Sequence, residues 1–277
     1  MFQGLDPDTD FQLIGNFSVS KPVGPRCLAK IGTDLMYWGS SGPEGLRKLL
    51  SGVSGRADVT GIAIQDQFEN AYQSNYGQHG FEILHYSRPS WIMFNVPKIY
   101  PTNTVQYVFN LETSAWFEIT GWNAISWVEH QSYAYYGSSD GCVYISDFGA
   151  DDAGEPIDLD FMANWSEYQT PNLKKFNMAK VTVRSQHKPS PLLDIMTDYD
   201  ERTPRGTTAF PQKATVSAWN STPWDTSPWT AAPVFNVDTF GLTDHGYVGA
   251  FRYREQVIDS FLQFYGYQLI FEVGDVL

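Results

Sequence analysis

The tetrapeptide Trp38-Gly39-Ser40-Ser41 returns as Tyr136-Gly137-Ser138-Ser139, each copy preceded by an aromatic-rich run and followed by a second strand-like run. The runs before them are Thr33-Asp34-Leu35-Met36-Tyr37 and Gln131-Ser132-Tyr133-Ala134-Tyr135; the runs after them are Gly45-Leu46-Arg47-Lys48-Leu49 and Gly141-Cys142-Val143-Tyr144-Ile145. Further upstream, Phe11-Gln12-Leu13-Ile14-Gly15 loosely parallels Phe117-Glu118-Ile119-Thr120-Gly121, and an apolar strand (Cys27 to Ile31, Ile125 to Val128) precedes each copy. Glycine takes positive φ at little cost, which a tight hairpin corner requires. A strand, corner, strand unit that recurs in this way is how blades of a β-propeller look in sequence. The 23 Gly and 16 Pro are scattered along the chain, and no sustained Ala/Glu/Lys/Leu run occurs. This favours many short strands and turns over a helical bundle, and an all-β fold is expected.

Between the two copies, Trp91 to Pro97 reads as a strand, and Val105 to Asn110 with Ala115 to Ile119 reads as a hairpin around Leu111-Glu112-Thr113-Ser114. Residues 62–75 are the helix candidate, with Ile64, Phe68, Ala71 and Tyr72 at helical spacing and a stop at Gly77. The chain turns acidic and loop-forming from Asp147 to Pro156, and a domain boundary is expected there. Residues 1–149 then form propeller-like blades with one short helical insertion, and residues 150–277 a β-sandwich-like domain. Strands of the second part are expected at 157–165, 175–185, 192–196, 216–219, 247–253 and 267–273, with Phe176, Met178, Val181 and Val183 giving partial alternation in the second of these.

Charge narrows the function. Eighteen Lys+Arg stand against 31 Asp+Glu, a formal net charge of −13. A binder that neutralises phosphates concentrates Lys and Arg, so that class is disfavoured. No apolar run approaches the roughly 20 residues that span a bilayer, and Met1-Phe2-Gln3-Gly4-Leu5-Asp6 carries no secretory signal pattern, so synthesis and assembly in the cytoplasm are expected. Cys27 and Cys142 offer neither a disulfide framework nor a Cys/His metal spacing.

The remaining constellations are few. Asp147, Asp151, Asp152 and Glu155 lie on one loop; they read as a solvated linker between domains or as oxygen ligands for a cation. Trp219, Trp224 and Trp229 are five residues apart among Pro, Ser and Thr; they read as plugs between loops and strands or as stacking platforms for sugar rings. His79, His85, His130, His187 and His245 fit no metal pair, and neither a Gly-x-Ser-x-Gly elbow, a Walker loop nor a dinucleotide fingerprint occurs. No catalytic, cofactor-binding or metal residue is assigned, and no enzymatic activity is expected.

Taken in order, Phe2-Gln3-Gly4-Leu5-Asp6-Pro7, Phe11 to Gly15, Pro22 to Cys27, Ile31 to Leu35, Asn95-Val96-Pro97, Gln106 to Trp116, Thr120 to Ala124, Tyr136 to Tyr144 and the ending Gly266 to Leu277 resemble bacteriophage tail proteins of the β-propeller nozzle or hub type, also called tail tubular protein B-like. The likeness falls mainly on the family's C-terminal part. It implies a structural protein of the virion tail, copies arranged in a ring, commonly six, contacts with other tail or head-to-tail connector proteins, and double-stranded DNA held and then passed through the lumen. An acidic lumen would repel phosphate and leave DNA mobile. The alternative from another class is a carbohydrate-binding or carbohydrate-cleaving β protein, a tailspike or lectin-like module, which would expose the tryptophans beside paired carboxylates.

Overall fold

A computed structural model of the chain describes residues 2–3, 8, 12–13, 21–32, 34–40, 42–45, 64–97, 104–186, 188–204, 206–207 and 233–274. Among the described residues the fold is all-β with one short helix, and every ladder between strands is antiparallel. None of the described sheets closes into a barrel. The chain divides into two compact units, Met1–Phe148 and Gly149–Leu277.

In the first unit, β1 (Phe2–Gln3) pairs with β2 (Gln12–Leu13), and three larger meanders follow in chain order. The first is β3 (Leu28–Ile31), β4 (Asp34–Gly39) and β5 (Gly42–Gly45). The second is four-stranded: β6 (Glu82–Tyr86), β7 (Trp91–Val96), β8 (Val105–Asn110) and β9 (Ala115–Thr120). The third is β10 (Ala124–His130), β11 (Tyr133–Ser138) and β12 (Val143–Ile145). Strand β6 is absent from the sequence reading, because Glu82-Ile83-Leu84-His85-Tyr86 does not alternate; the reason is that both faces of its sheet are covered.

Alternation on β7 shows how. Ile92 and Phe94 point into a core with Cys27, which precedes β3, and with Met36 and Trp38 of the first meander, whereas Met93, one residue along, points into a core with Ala124, Trp127, Ala134 and Tyr136 of the third. The repeated aromatics Trp38 and Tyr136 thus meet the middle sheet from opposite sides. The helix α1 (Gln65–Ser74) lies within the expected 62–75 and completes the first of these cores with Phe68 and Ala71. Phe68 makes edge contacts with Trp38, Phe94, Tyr107 and Trp116 at 5.2–5.6 Å. The helix ends at Asn75, whose side-chain amide and backbone N–H both donate to the Ala71 carbonyl. Gly77 follows in the turn with φ of 80°.

The second unit has two layers around one core. One layer runs in the order β13 (Ile157–Met162), β19 (Gly249–Val257), β15 (Leu192–Thr197), β16 (Gly206–Thr207). In the other, β14 (Lys174–Ser185) is flanked by β20 (Leu262–Val273) on one side and by β17 (Val234–Gly241) and β18 (His245–Gly246) on the other. Phe176, Ala179, Val181 and Val183 of β14 meet Leu193, Ile195, Phe251 and Tyr253 of the opposite layer. Phe251 stacks on Tyr267 at 4.5 Å, and a Cβ added at Gly249 would come within 2.7 Å of the Phe176 ring, so only glycine fits there.

Met178, which follows Phe176 in the partial alternation, is exposed. A bulge between Phe176 and Met178 inserts one residue, so the inward series runs 176, 179, 181, 183 and Met178 turns outward. Strand β17 escaped the sequence reading because its inward series includes Asn236, which donates to Ser185 Oγ at 2.9 Å, beside Phe240.

Candidate functional site

The acidic loop folds back on itself. Asp152 and Glu155 exchange two backbone hydrogen bonds of 2.9 and 3.0 Å across Ala153-Gly154, whose φ angles are 53° and 93°. That is a two-residue hairpin, with Asp152 and Glu155 exposed to solvent. Asp147 belongs to the first unit and accepts a hydrogen bond from the Tyr86 hydroxyl at 3.3 Å. Among the described residues, no group of three His, Cys, Asp or Glu side chains is placed to hold a metal ion. Trp219, Trp224, Trp229 and His187 lie outside the described residues. Cys27 and Cys142 are free thiols, and burial pushes Cys27 up to about 12, which leaves it unreactive at neutral pH.

Two groups that sequence reading missed join the meanders of the first unit. Asn95 donates from Nδ2 to the Gly80 and Ala124 carbonyls at 2.7 and 3.1 Å, and its Oδ1 accepts from Gln106 Nε2 at 2.9 Å and Trp127 Nε1 at 3.0 Å. Gln106 Nε2 also reaches the Trp122 carbonyl at 3.0 Å. These amides are buried, where unpaired polar groups are costly, so the network fixes the second meander against the third. Glu82 makes the other junction. Its Oε2 accepts the Trp127 backbone N–H at 2.9 Å and lies 3.6 Å from Arg26 Nη1, while Ile83 N–H donates to the Arg26 carbonyl at 3.0 Å. Burial raises the Glu82 pKa above the ordinary carboxylate value; the Trp127 N–H and Arg26 oppose the shift. Nothing in spacing marks these residues, because each acts across a boundary between sheets.

The second unit displays a surface of different chemistry. The pairing register puts Lys175, Met178, Lys180, Thr182 and Arg184 of β14 on the outward face, opposite Glu272, Ile270, Gln268, Gly266 and Gln263 of β20. A spacing of five would send Lys175 and Lys180 to opposite faces of a regular strand; the bulge brings them to one. A second irregularity of register, between Thr182 and Val183, leaves Tyr265 unpaired on β20, and its ring meets Phe235 of β17 edge-on at 4.9 Å. The Arg184 guanidinium lies 5.9 Å from the Phe235 ring centre and 6.0 Å from that of Phe261. Lys180, Thr182, Tyr265, Gly266, Tyr267 and Gln268 line an open depression of about 260 Å³. Phe235, Tyr265 and Ile270 are each about half exposed. None of Lys175, Lys180 and Arg184 forms an ion pair with a carboxylate among the described residues.

Set against models of known protein families and against curated proteins, the sequence matches none.

Proposed function

We propose that the chain is a non-enzymatic structural component of a bacteriophage tail, of the nozzle or hub type. Its copies assemble into a ring, six by the resemblance, which extends the tail conduit, retains packaged double-stranded DNA and passes it during ejection without binding it specifically. The observation that carries this reading is the succession of three antiparallel meanders in Met1–Phe148, with the middle one packed on both faces and its first strand β6 adjoining the first strands β3 and β10. Consecutive blades of a β-propeller adjoin in this way. The two-layer unit Gly149–Leu277 fits the sandwich-like platform that follows such blades. A net charge of −13 suits a wall past which phosphate must slide.

Electron microscopy of the particle that carries this protein, with an antibody fragment marking the chain, tests the reading. A closed ring on the tail axis is expected. Density at a fibre tip or spike, or a purified monomer that binds oligosaccharide, overturns it in favour of a carbohydrate-directed β protein.

A further inference from the structure

We infer that the outward face of the β17-β14-β20 layer is the surface on which one copy of this chain receives the next, and that it grips the acidic hairpin Asp151–Glu155 of that neighbour. The inference rests on the ring proposed above and names its contact. A chain of net charge −13 repels its own copies, so association needs a local positive surface. The row Lys175, Lys180 and Arg184 supplies one; Glu272 faces Lys175 across the ladder, and none of the three forms an ion pair with a carboxylate among the described residues. The complementary surface is the hairpin, where Asp151, Asp152 and Glu155 make no side-chain hydrogen bond or ion pair with any described residue.

β14 and β20 each have 12 residues and β17 has 8. At sheet spacing, the outward face of three such strands covers about 500 Å², or about 1,000 Å² counting both partners, the lower limit for a specific interface. Exposed apolar groups, Met178 with Ile270 and Phe235 with Tyr265, stand on either side of Lys180 along the face, so apolar contact and charge alternate across it. The depression at Gly266 gives room for an inserted turn. The face belongs to one layer and the hairpin leads into β13 of the other, so the two patches are distinct, as a head-to-tail contact requires. Contacts of that kind build rings when their rotation closes.

The test is sedimentation velocity on the full chain over a concentration series, with charge reversals on each side. Lys180→Glu with Arg184→Glu is expected to weaken self-association at least about tenfold, as does Asp152→Lys with Glu155→Lys, because each brings like charges together. Combining all four reversals is expected to restore it. Raising NaCl from about 50 mM to about 500 mM should weaken the wild type. Thermal melts of the variants, expected to match the wild type, separate lost contact from lost fold. The inference is overturned by unchanged association of the two double variants, by loss that the fourfold variant does not recover, or by a wild type that stays monomeric. It is also overturned if the face captures a single-stranded oligonucleotide probe while the protein remains monomeric. A ring seen on the tail axis with another surface at its seams would sink this contact and leave the proposed function standing; no ring would sink the function itself.

Discussion

Among the described residues, Met1–Phe148 buries the neutral Asn75, Asn95, Thr104, Gln106 and Ser146 with Glu82 as its one charged group, whereas Gly149–Leu277 buries Lys174, Asp194 and Glu255 beside the neutral Ser185, Thr197 and Asn236. The first unit joins its sheets by amides and by clustered aromatic rings. The second joins two layers by a single apolar core and ties its rim with guanidinium groups: Arg252 to Asp160 at 2.7 and 2.9 Å, and Arg202 to Asp194 and Asp244 at 3.4 and 2.8 Å. Lys174 donates to the Asn172 and Tyr247 carbonyls at 2.9 and 2.7 Å, and burial lowers its pKa. The difference teaches that the first unit's stability should respond chiefly to packing, and the second's also to salt and acid.

The sharpest way to separate the units is to empty each core in turn. Trp38 and Phe251 are fully buried, and truncating either to Ala should cost about 4 kcal/mol. Calorimetry of Trp38→Ala should show one transition displaced downward and the other in place, with Phe251→Ala displacing the other one. A single shared transition that moves equally in both variants would mean that the two units melt as one body.

Next in size is the amide network. Asn95→Leu keeps the bulk but strips partners from the Gly80 and Ala124 carbonyls, the Trp127 indole N–H and the Gln106 amide. Leaving such groups buried and unpaired should cost about 3 kcal/mol. Urea melts should show this loss at every pH between about 5 and 8, because no member of the network titrates there. A loss that varied across that range would break the contrast drawn between the units.

Sequence made the corners legible and the junctions illegible. The aromatic runs ahead of Gly39 and Gly137 mark β4 and β11, although the positive φ falls on Gly42 (114°) and Gly141 (86°) and Gly137 lies within β11, and the helix face Phe68-Ala71 shows by its spacing. Strand β6, covered on both faces, has no alternation to detect, and β17 hides its inward face behind Asn236. The basic row of β14 was illegible for a third reason: a bulge changes which residues share a face, and no propensity announces it. Asn95, Gln106 and Glu82 look like ordinary polar residues until the sheets they join are in place.

A smaller effect distinguishes the rim of the second unit. Arg252 donates to both oxygens of Asp160 and lowers that carboxyl's pKa below its ordinary value. Its stabilisation is therefore complete above the unfolded carboxylate pKa and is lost as pH falls through the depressed folded value. The pair is partly exposed, so after screening Asp160→Asn should cost about 1 kcal/mol at neutral pH. The cost should shrink below pH of about 4, where the wild-type carboxyl also begins to lose its charge. A cost that stayed constant in acid would show that geometry rather than charge holds this rim.

Glu82 should behave in the opposite sense. Its folded pKa lies above the unfolded one because burial disfavours the carboxylate more than the Trp127 N–H and Arg26 favour it. Between the two values the folded state binds more protons, so this group's contribution is present below the unfolded pKa and is lost as pH rises through the folded pKa. Glu82→Gln keeps an oxygen to accept the Trp127 N–H and removes the buried charge. At neutral pH it should therefore change stability by no more than about 1 kcal/mol, in the stabilising direction, with the gain vanishing as the medium is acidified. Chemical denaturation of wild type and variant from neutral pH to about pH 4 measures the difference. If the variant were less stable at neutral pH, Arg26 would hold Glu82 more strongly than its 61% exposed side chain implies. The first unit would then share the charge dependence assigned to the second.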